Sequence, residues 1–164
     1  MTDARTETLR SSGVTFEAMT PFTAETLGPL LARIDPWDRH KYTPSALTAY
    51  LAAEEPGAPR FAINVGRGHA GAIGIKRDWL RGPYLQFLGL LPAYQRQGIG
   101  TSVLDWFESE ARATRAQNLW VAASDFNARA LSFYEKHGFS RVATLDALVT
   151  EGSSEILLRK RLVA

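Results

Sequence analysis

The chain has 164 residues, enough for one domain that buries a hydrophobic core without the help of metal ions or disulfides. Hydrophobic residues make up 45% and charged residues 22%, the balance of an ordinary globular protein, and the absence of cysteine excludes a disulfide framework, a thiol nucleophile and a cysteine-based zinc site. The net charge is only +2, and the basic residues are scattered except for residues 159–161, so we expect no nucleic-acid partner.

The N-terminus is polar and contains no apolar segment of the kind found in a secretory signal. We expect residues 1–13 to form a flexible tail and residues 14–164 to form a single domain. No stretch approaches the roughly 18 apolar residues that a membrane-spanning helix requires. These features favour a cytoplasmic protein without a membrane partner.

The first third of the chain predicts one strand followed by two helices. Residues 14–19 alternate between apolar and polar positions, as in a half-buried strand. Apolar residues at helical spacing then run from 27 to 34, although Gly28-Pro29 inside this pattern favours a late start or a kink. Thr43-Pro44 supplies an N-cap and a first-turn proline for the second helix, which the cluster at residues 56–59 stops.

A hairpin follows, with strands over residues 60–65 and 70–78. Its connection is residues 66–69, and residues 66–71 also match the G-x-G-x-x-G fingerprint of dinucleotide-binding proteins. That fingerprint requires a following helix and an acidic residue about 20 positions further on. The pattern instead continues as a strand, and no acidic residue occurs between Asp78 and Asp105, so the match is discounted.

The most informative pattern lies in the middle of the chain. An apolar run over residues 84–91 predicts a buried strand, and Gly98 and Gly100 then precede an amphipathic helix over residues 101–113. Two interpretations fit glycines at this position: they relieve crowding in a tight connection, or they let the backbone of a helix N-terminus approach a phosphate. Arg96 adds a positive charge at the same place.

The last third predicts a strand, a helix and a closing hairpin. Residues 118–123 read as a buried strand, and Asn127 is a good N-cap for a helix that Gly138 ends. The apolar runs over 139–149 and 155–162 form the hairpin. Because such a hairpin can pair with a second copy, a homodimer is compatible with the sequence.

These motifs resemble the GCN5-related N-acetyltransferase (GNAT) family over about residues 14–162. The resemblance is carried by Gln95, Gly98 and Gly100 after a strand and a proline, and by Asn127 and Tyr134, which lie two helical turns apart. It implies an α/β (α+β) fold with a mixed, mainly antiparallel central sheet of about six to seven strands, flanked by about four helices.

The resemblance also implies acetyl-CoA as cofactor. In this family the loop amides hold the pyrophosphate, the preceding strand splays at a bulge beside pantetheine, and the Asn and Tyr of the later helix lie along the pantetheine arm and the sulfur. The residues thereby implied in cofactor binding are Leu88, Leu90, Leu91, Gln95, Arg96, Gln97, Gly98, Ile99, Gly100, Thr101, Asn127, Phe133 and Tyr134.

The implied reaction is acetyl transfer to a primary amine of a small molecule or a protein. Without a cysteine to hold the acyl group, direct attack in a ternary complex is expected. Tyr134 would be the catalytic acid, since a tyrosine still carries its proton at neutral pH, and backbone N–H groups around Leu90 or Leu91 would stabilise the oxyanion. Some members carry a Glu five residues before the Asn, where this chain has Ala122, so the general base stays open among Asp35, Asp38, Asp78 and Asp125.

The family usually shapes its acceptor pocket with the first two helices and their connection. The candidate acceptor-binding residues are therefore Trp37, Asp38, His40 and Tyr42, together with Gln86 on the central strand. The connection is equally compatible with an exposed loop whose tryptophan covers the core, and no metal site is expected from it. Two alternatives to an enzyme remain: a non-catalytic acyl-CoA sensor, and an interaction module that keeps only the fold.

Overall fold

The computed structural model describes residues 13–163, so the predicted tail lies almost wholly outside the described residues and stays a prediction. The order of elements predicted from the sequence is confirmed. The elements are β1 (Val14–Ala18), α1 (Pro21–Leu31), α2 (Pro44–Ala52), β2 (Arg60–Val65), β3 (Gly68–Trp79), β4 (Gly82–Leu90), a short 3-10 helix (Pro92–Tyr94), α3 (Ile99–Ala113), β5 (Asn118–Ser124), α4 (Ala128–Lys136), β6 (Ser140–Asp146) and β7 (Ser154–Arg161).

The strands form one seven-stranded sheet in the order β1-β2-β3-β4-β5-β7-β6. The pairs β1–β2, β2–β3, β5–β7 and β6–β7 are antiparallel, whereas β4 and β5 are parallel, with Tyr84 opposite Trp120 and Leu85 opposite Val121. A parallel pair needs a crossover connection, and α3 supplies it. The predicted mixed, mainly antiparallel sheet with four α-helices is thus confirmed over the described part of the chain.

The chain divides into two compact units. Unit 1 comprises Met1–Ile75 and Phe87–Trp106, and unit 2 comprises Lys76–Gln86 and Phe107–Ala164. Strands β3 and β4 and helix α3 contribute residues to both. No helix in the described chain combines the length and the hydrophobicity needed to cross a membrane.

Unit 1 has its core where α1 and α2 pack on the sheet. Buried Leu27 and Leu31 of α1 and Leu47 and Leu51 of α2 cluster with Phe87 of β4. Burying each such side chain stabilises the fold by about 1.5–3 kcal/mol. On α3, the Trp106 ring stacks on Phe16 of β1 with 4.5 Å between centroids.

Helix α1 begins earlier than the sequence pattern predicts. Thr20 is the N-cap, because its Oγ1 accepts a hydrogen bond from the Thr23 N–H at 3.1 Å, and Pro21 follows as the first helical residue. The late start expected from Gly28-Pro29 is therefore wrong. Gly28 serves packing instead, since a Cβ there would overlap Thr48 of α2.

Unit 2 has its core along β5 and β7, where Leu119, Val121 and Leu158 are fully buried. The Lys160 ammonium of β7 donates to the Glu108 carboxylate of α3, which ties the helix to the sheet. Strand β6 ends the sheet order. Its side chains are largely exposed, and its pairing with β7 carries a register shift between Arg141 and Ala143.

Candidate active site

The loop between β4 and α3 is held against the end of its strand. The Gln95 side-chain amide donates to the Leu90 carbonyl at 2.9 Å, and the Gln97 amide donates to the Ala93 carbonyl at 2.8 Å. The motif glutamine therefore shapes the loop. Leu91 N–H donates to the Ala70 carbonyl at 2.8 Å, so of the two predicted oxyanion donors Leu91 is the less suitable, because its N–H is already engaged.

The backbone of this loop twice adopts the left-handed conformation. Arg96 has φ +63° and Gly98 has φ +80°. Such residues turn the chain so that successive N–H groups can converge on an anion. For arginine this conformation is uncommon, whereas glycine adopts it without steric cost. Both residues are exposed, and a Cβ at Gly98 would meet no atom within 4 Å.

Helix α3 starts directly behind Gly98, whose carbonyl accepts from the Ser102 N–H at 3.2 Å. The first N–H groups of a helix have no acceptor inside it, and glycine has no side chain to cap them. The first turn contains no acidic residue, and the helix dipole adds positive potential. With Arg96 beside it, this end of α3 fits a polyanion such as a diphosphate.

The other motif residues lie in unit 2, on α4. Asn127 is the N-cap, as predicted, because its Oδ1 accepts from the Ala130 N–H at 3.2 Å. Phe133 is half-buried, and its ring centroid lies 4.5 Å from that of His137 and 5.4 Å from that of Tyr134.

Tyr134 faces inward, with 7% of its surface exposed, and its ring meets Phe139 edge to face. Burial, and then the neighbouring Tyr84 phenol, raise the pKa of Tyr134 well above the ordinary value of 10.0. Within residues 13–163 no group forms a hydrogen bond with its hydroxyl. The side chain is therefore a protonated donor at neutral pH.

Sequence reasoning missed a buried carboxylate in unit 2. Glu155 of β7 is 8% exposed, and its Oε1 accepts a hydrogen bond of 2.6 Å from the Ser124 hydroxyl of β5, its cross-strand neighbour. Burial and the negative charge of Glu155 raise the pKa of Tyr84. The signal available in the sequence was a charged residue opening the otherwise apolar run Ile156–Leu158.

The predicted acceptor loop is partly structural. Trp37 stacks on Phe87 with 4.3 Å between centroids and packs against the core of unit 1. The rings of His40 and Tyr42 meet edge to face at 6.4 Å, and Asp38 is exposed. The position of Trp37 favours the second interpretation of this loop, an exposed connection whose tryptophan covers the core.

The predicted site residues divide between the two units. Unit 1 contains the strand end and loop, from Leu88 to Thr101, and the acceptor loop. Unit 2 contains Gln86, which is exposed, the N-cap Asn127, and Phe133 and Tyr134 of α4. The acids proposed as general bases are all exposed: Asp35, Asp38, Asp78 and Asp125. Over the described residues, no group of three His, Asp or Glu side chains could hold a metal ion.

A family model for the acetyltransferase (GNAT) family matches residues 24–139, more than two thirds of the chain. The chain therefore belongs to the GNAT acetyltransferase family. A comparison with proteins of curated function finds no significant sequence match.

Solved structures support the fold. A GNAT-family protein from Desulfovibrio desulfuricans is 20% identical, with a TM-score of 0.72 over 92% of this chain and 99% of that one. Ard1 from Thermoplasma volcanium is 17% identical, with a TM-score of 0.73 over 93% and 99%. A GNAT-family acetyltransferase from Elizabethkingia anophelis, solved with acetyl-CoA bound, is 16% identical, with a TM-score of 0.68 over 93% and 100%.

Proposed function

We propose that the protein binds acetyl-CoA and transfers its acetyl group to a primary amine. The observation that carries this proposal is the N-terminus of α3, where a glycine without a capping side chain precedes the helix and an exposed arginine stands beside it. Membership of the GNAT family supports an acetyltransferase, and the relative from Elizabethkingia anophelis binds acetyl-CoA.

The backbone of the loop would hold the diphosphate of the coenzyme. The N–H groups of Gly98, Ile99, Gly100 and Thr101 follow the left-handed turn and form the positive end of α3, and Arg96 supplies a full charge. Gln95 acts through the loop, because its hydrogen bond to the Leu90 carbonyl fixes where the loop leaves β4.

The family resemblance implies further cofactor contacts from residues of β4 and from residues of α4. Leu88 and Leu90 offer backbone groups for pantetheine, as the family resemblance implies. The Asn127 Oδ1 is engaged in the cap of α4, so its amide nitrogen is the group suited to donate to the pantetheine arm. Phe133 contributes an apolar ring.

Acetyl-CoA supplies a thioester carbonyl that an amine can attack. Tyr134 is the proposed acid, because its raised pKa keeps the hydroxyl protonated at neutral pH and able to donate to the departing sulfur. Of the two oxyanion donors that the resemblance implies, the backbone N–H of Leu90 is the one proposed, since Leu91 already donates to Ala70.

Calorimetric titration with acetyl-CoA tests the cofactor. Gly98→Glu should abolish measurable binding, because it places a carboxylate where phosphate is expected. Gly57→Glu is the matched control: Gly57 also has positive φ, +75°, and open space around its Cβ, so it bears the same backbone strain and the same added charge. Equal loss in both variants, or binding that Gly98→Glu retains, would contradict the assignment of the loop.

A thiol-release assay with acetyl-CoA and an amine tests the reaction itself. Methylamine is a suitable first probe, because it is small enough to enter most acceptor pockets. Binding of acetyl-CoA without thiol release in the presence of amines would favour a non-catalytic sensor over an enzyme.

A further inference from the structure

Acetyl transfer to an amine needs a group that removes a proton, and this inference rests on the proposed function. A primary amine is mostly protonated at neutral pH and cannot attack until it loses that proton. The acids named from the sequence, at positions 35, 38, 78 and 125, are exposed. Asp125 also serves the backbone, since its Oδ2 accepts from the Ser154 N–H. Neither exposure nor a hydrogen bond to the backbone singles out any of these acids as the general base.

Glu155 differs from those acids in its surroundings. Among the described residues it is the only acid that is buried, at 8% exposure. Placing a carboxylate in the interior costs several kcal/mol unless hydrogen bonds compensate. The Ser124 hydroxyl supplies one such bond at 2.6 Å. A fold that accepts this cost needs a reason for keeping the charge there.

Glu155 lies on the same face of the sheet of unit 2 as Tyr84. Ser124 pairs with Glu155 and Trp120 pairs with Tyr84, and residues 120 and 124 of β5 point to one face because they are an even number apart. The Tyr84 ring stacks on Trp79 with 4.7 Å between centroids. Burial and then the charge of Glu155 raise the pKa of Tyr84, and burial and then Tyr84 raise the pKa of Tyr134.

We propose that Glu155, on the same face of the sheet of unit 2 as Tyr84, is the general base that accepts the proton of the acceptor amine. The base and the acid of the reaction then belong to the same unit, one on β7 and one on α4. Ser124 positions the carboxylate through its hydrogen bond.

The protons and bonds balance in this assignment. The protonated amine gives one proton to a carboxylate oxygen of Glu155, and its nitrogen gains a free lone pair. A C–N bond forms to the acetyl carbonyl carbon, and the C–S bond breaks with its electron pair on sulfur. Tyr134 donates its proton to that sulfur, and the second nitrogen proton replaces it. The products are an amide, a free thiol and one proton, which Glu155 releases to solvent.

A purely structural role for Glu155 would be to fasten β5 to β7 through Ser124. Glu155→Gln separates the two roles, because its side-chain amide keeps the size and can still accept the Ser124 hydrogen bond but binds no proton near neutral pH. Glu151→Gln, in the exposed turn before β7, removes the same charge and is the matched control.

The first experiment follows thiol release from acetyl-CoA with methylamine and with hydroxylamine as acceptors at neutral pH. Methylamine is almost wholly protonated there and hydroxylamine is largely neutral. We expect Glu155→Gln to lower the methylamine rate about 100-fold or more and the hydroxylamine rate less than about tenfold, while acetyl-CoA affinity stays that of the wild type. Glu151→Gln should change neither rate.

A second measurement does not depend on activity. Besides burial, the charge of Glu155 from β7 raises the pKa of Tyr84, and Tyr84 raises that of Tyr134 on α4. The rings of Trp79 and Trp120 beside Tyr84 carry no charge, and the Arg159 guanidinium lies 5.6 Å from the centroid of Trp120. In protein labelled with 13C at the tyrosine Cζ, Glu155→Gln should lower the pKa of Tyr84, because it removes a negative charge beside the phenol. The signal is assigned with Tyr84→Phe.

The outcomes distinguish this inference from the proposed function. If the methylamine rate of Glu155→Gln is within about threefold of the wild-type rate, or if the Tyr84 titration is unchanged, only the proposed role of Glu155 is overturned. Wild-type protein that binds acetyl-CoA but releases no thiol with either amine overturns the proposed reaction and this role with it. Equal losses for the two acceptors show a structural role and also overturn the proposal.

Discussion

Helices α3 and α4 begin in opposite ways. Helix α4 is closed by the side chain of Asn127, which accepts from the Ala130 N–H, whereas α3 follows Gly98, which has no side chain to offer. Thr20 and Thr43 cap α1 and α2 in the same manner as Asn127 caps α4. A glycine in place of a capping side chain costs a helix only a few tenths of a kcal/mol. The difference supports the proposal that α3 presents its backbone to a ligand, while α4 acts through side chains.

The largest effect is expected from one oxygen atom of α4. Tyr134→Phe should lower the turnover number for methylamine about 100-fold and leave acetyl-CoA affinity nearly unchanged, because the hydroxyl acts on the leaving sulfur. Steady-state thiol release and calorimetry measure the two quantities. Thr101→Ala, which removes a hydroxyl and a methyl group from α3, should change neither by more than about twofold, because α3 is proposed to bind through its backbone. An unaltered turnover number in Tyr134→Phe would remove this residue from the mechanism.

The next largest effect is expected when α3 receives a capping side chain like the one that α4 has. Gly98→Asn introduces a neutral side chain at φ +80°, a conformation that asparagine tolerates better than most residues. Its carbonyl oxygen would compete with the phosphate for the first N–H groups, so we expect acetyl-CoA to bind about tenfold more weakly, or about 1.4 kcal/mol. Calorimetry measures this, with Gly57→Asn as control; equal affinities in wild type and Gly98→Asn would mean that the ligand does not use these groups.

The buried phenol of Tyr134 on α4 should make the free energy of unfolding depend on pH in the alkaline range. Because the pKa of Tyr134 is raised in the folded chain, the unfolded chain loses the proton first, and unfolding becomes easier as pH rises above about 10. The stabilisation is complete below that pH and is lost towards the folded pKa, with a slope of at most about 1.4 kcal/mol per pH unit. Urea unfolding between pH 9 and 11 should show a smaller slope in Tyr134→Phe.

Tyr84 should affect alkaline stability in the same direction as Tyr134, because burial and Glu155 raise its pKa too. Tyr84→Phe should therefore also reduce the alkaline slope, and Tyr42→Phe, in an exposed loop, should not. A slope that is equal in all three variants and in wild type would show that neither phenol is held protonated by the fold.

The smallest effect separates the two roles of Asn127. Asn127→Ala should lower the free energy of unfolding by about 1 kcal/mol, and Asn127→Asp by only a few tenths, because aspartate still caps the helix. Both lack the amide donor proposed for pantetheine, so both should bind acetyl-CoA more weakly. Urea unfolding and calorimetry give the two numbers. Wild-type affinity in Asn127→Asp would leave Asn127 as a cap only.

The sequence predicts the fold well because its local signals agree with each other. The strand at 60–65 and the caps at Thr43 and Asn127 are found where hydrophobic spacing and capping chemistry place them. The start of α1 was missed because Gly28-Pro29 was interpreted as a local break. Gly28 is needed because α2 approaches α1 closely there. Its contact is with Thr48, which is 20 positions away in the sequence.

The candidate site was predictable only where the chain itself forms a local motif. The loop at 95–101 carries its geometry in neighbouring residues, so its spacing alone is enough to propose it as a site. Glu155 could not be found in this way, because its meaning depends on Ser124, which is 31 residues away, and on Tyr84, which is further still. The pairing of residues between strands must be known before a charged residue in an apolar run can be recognised as buried.

The register shift in β6 has a further consequence. A regular strand at the end of a sheet offers unpaired backbone groups on which another chain can grow, which is how aggregation and fibril formation begin. The irregularity between Arg141 and Ala143 interrupts that template, and the strand places the exposed charge of Arg141 beside it. An irregular, charged edge of this kind is a poorer template for the addition of another strand, although Val142 and Leu148 expose apolar surface.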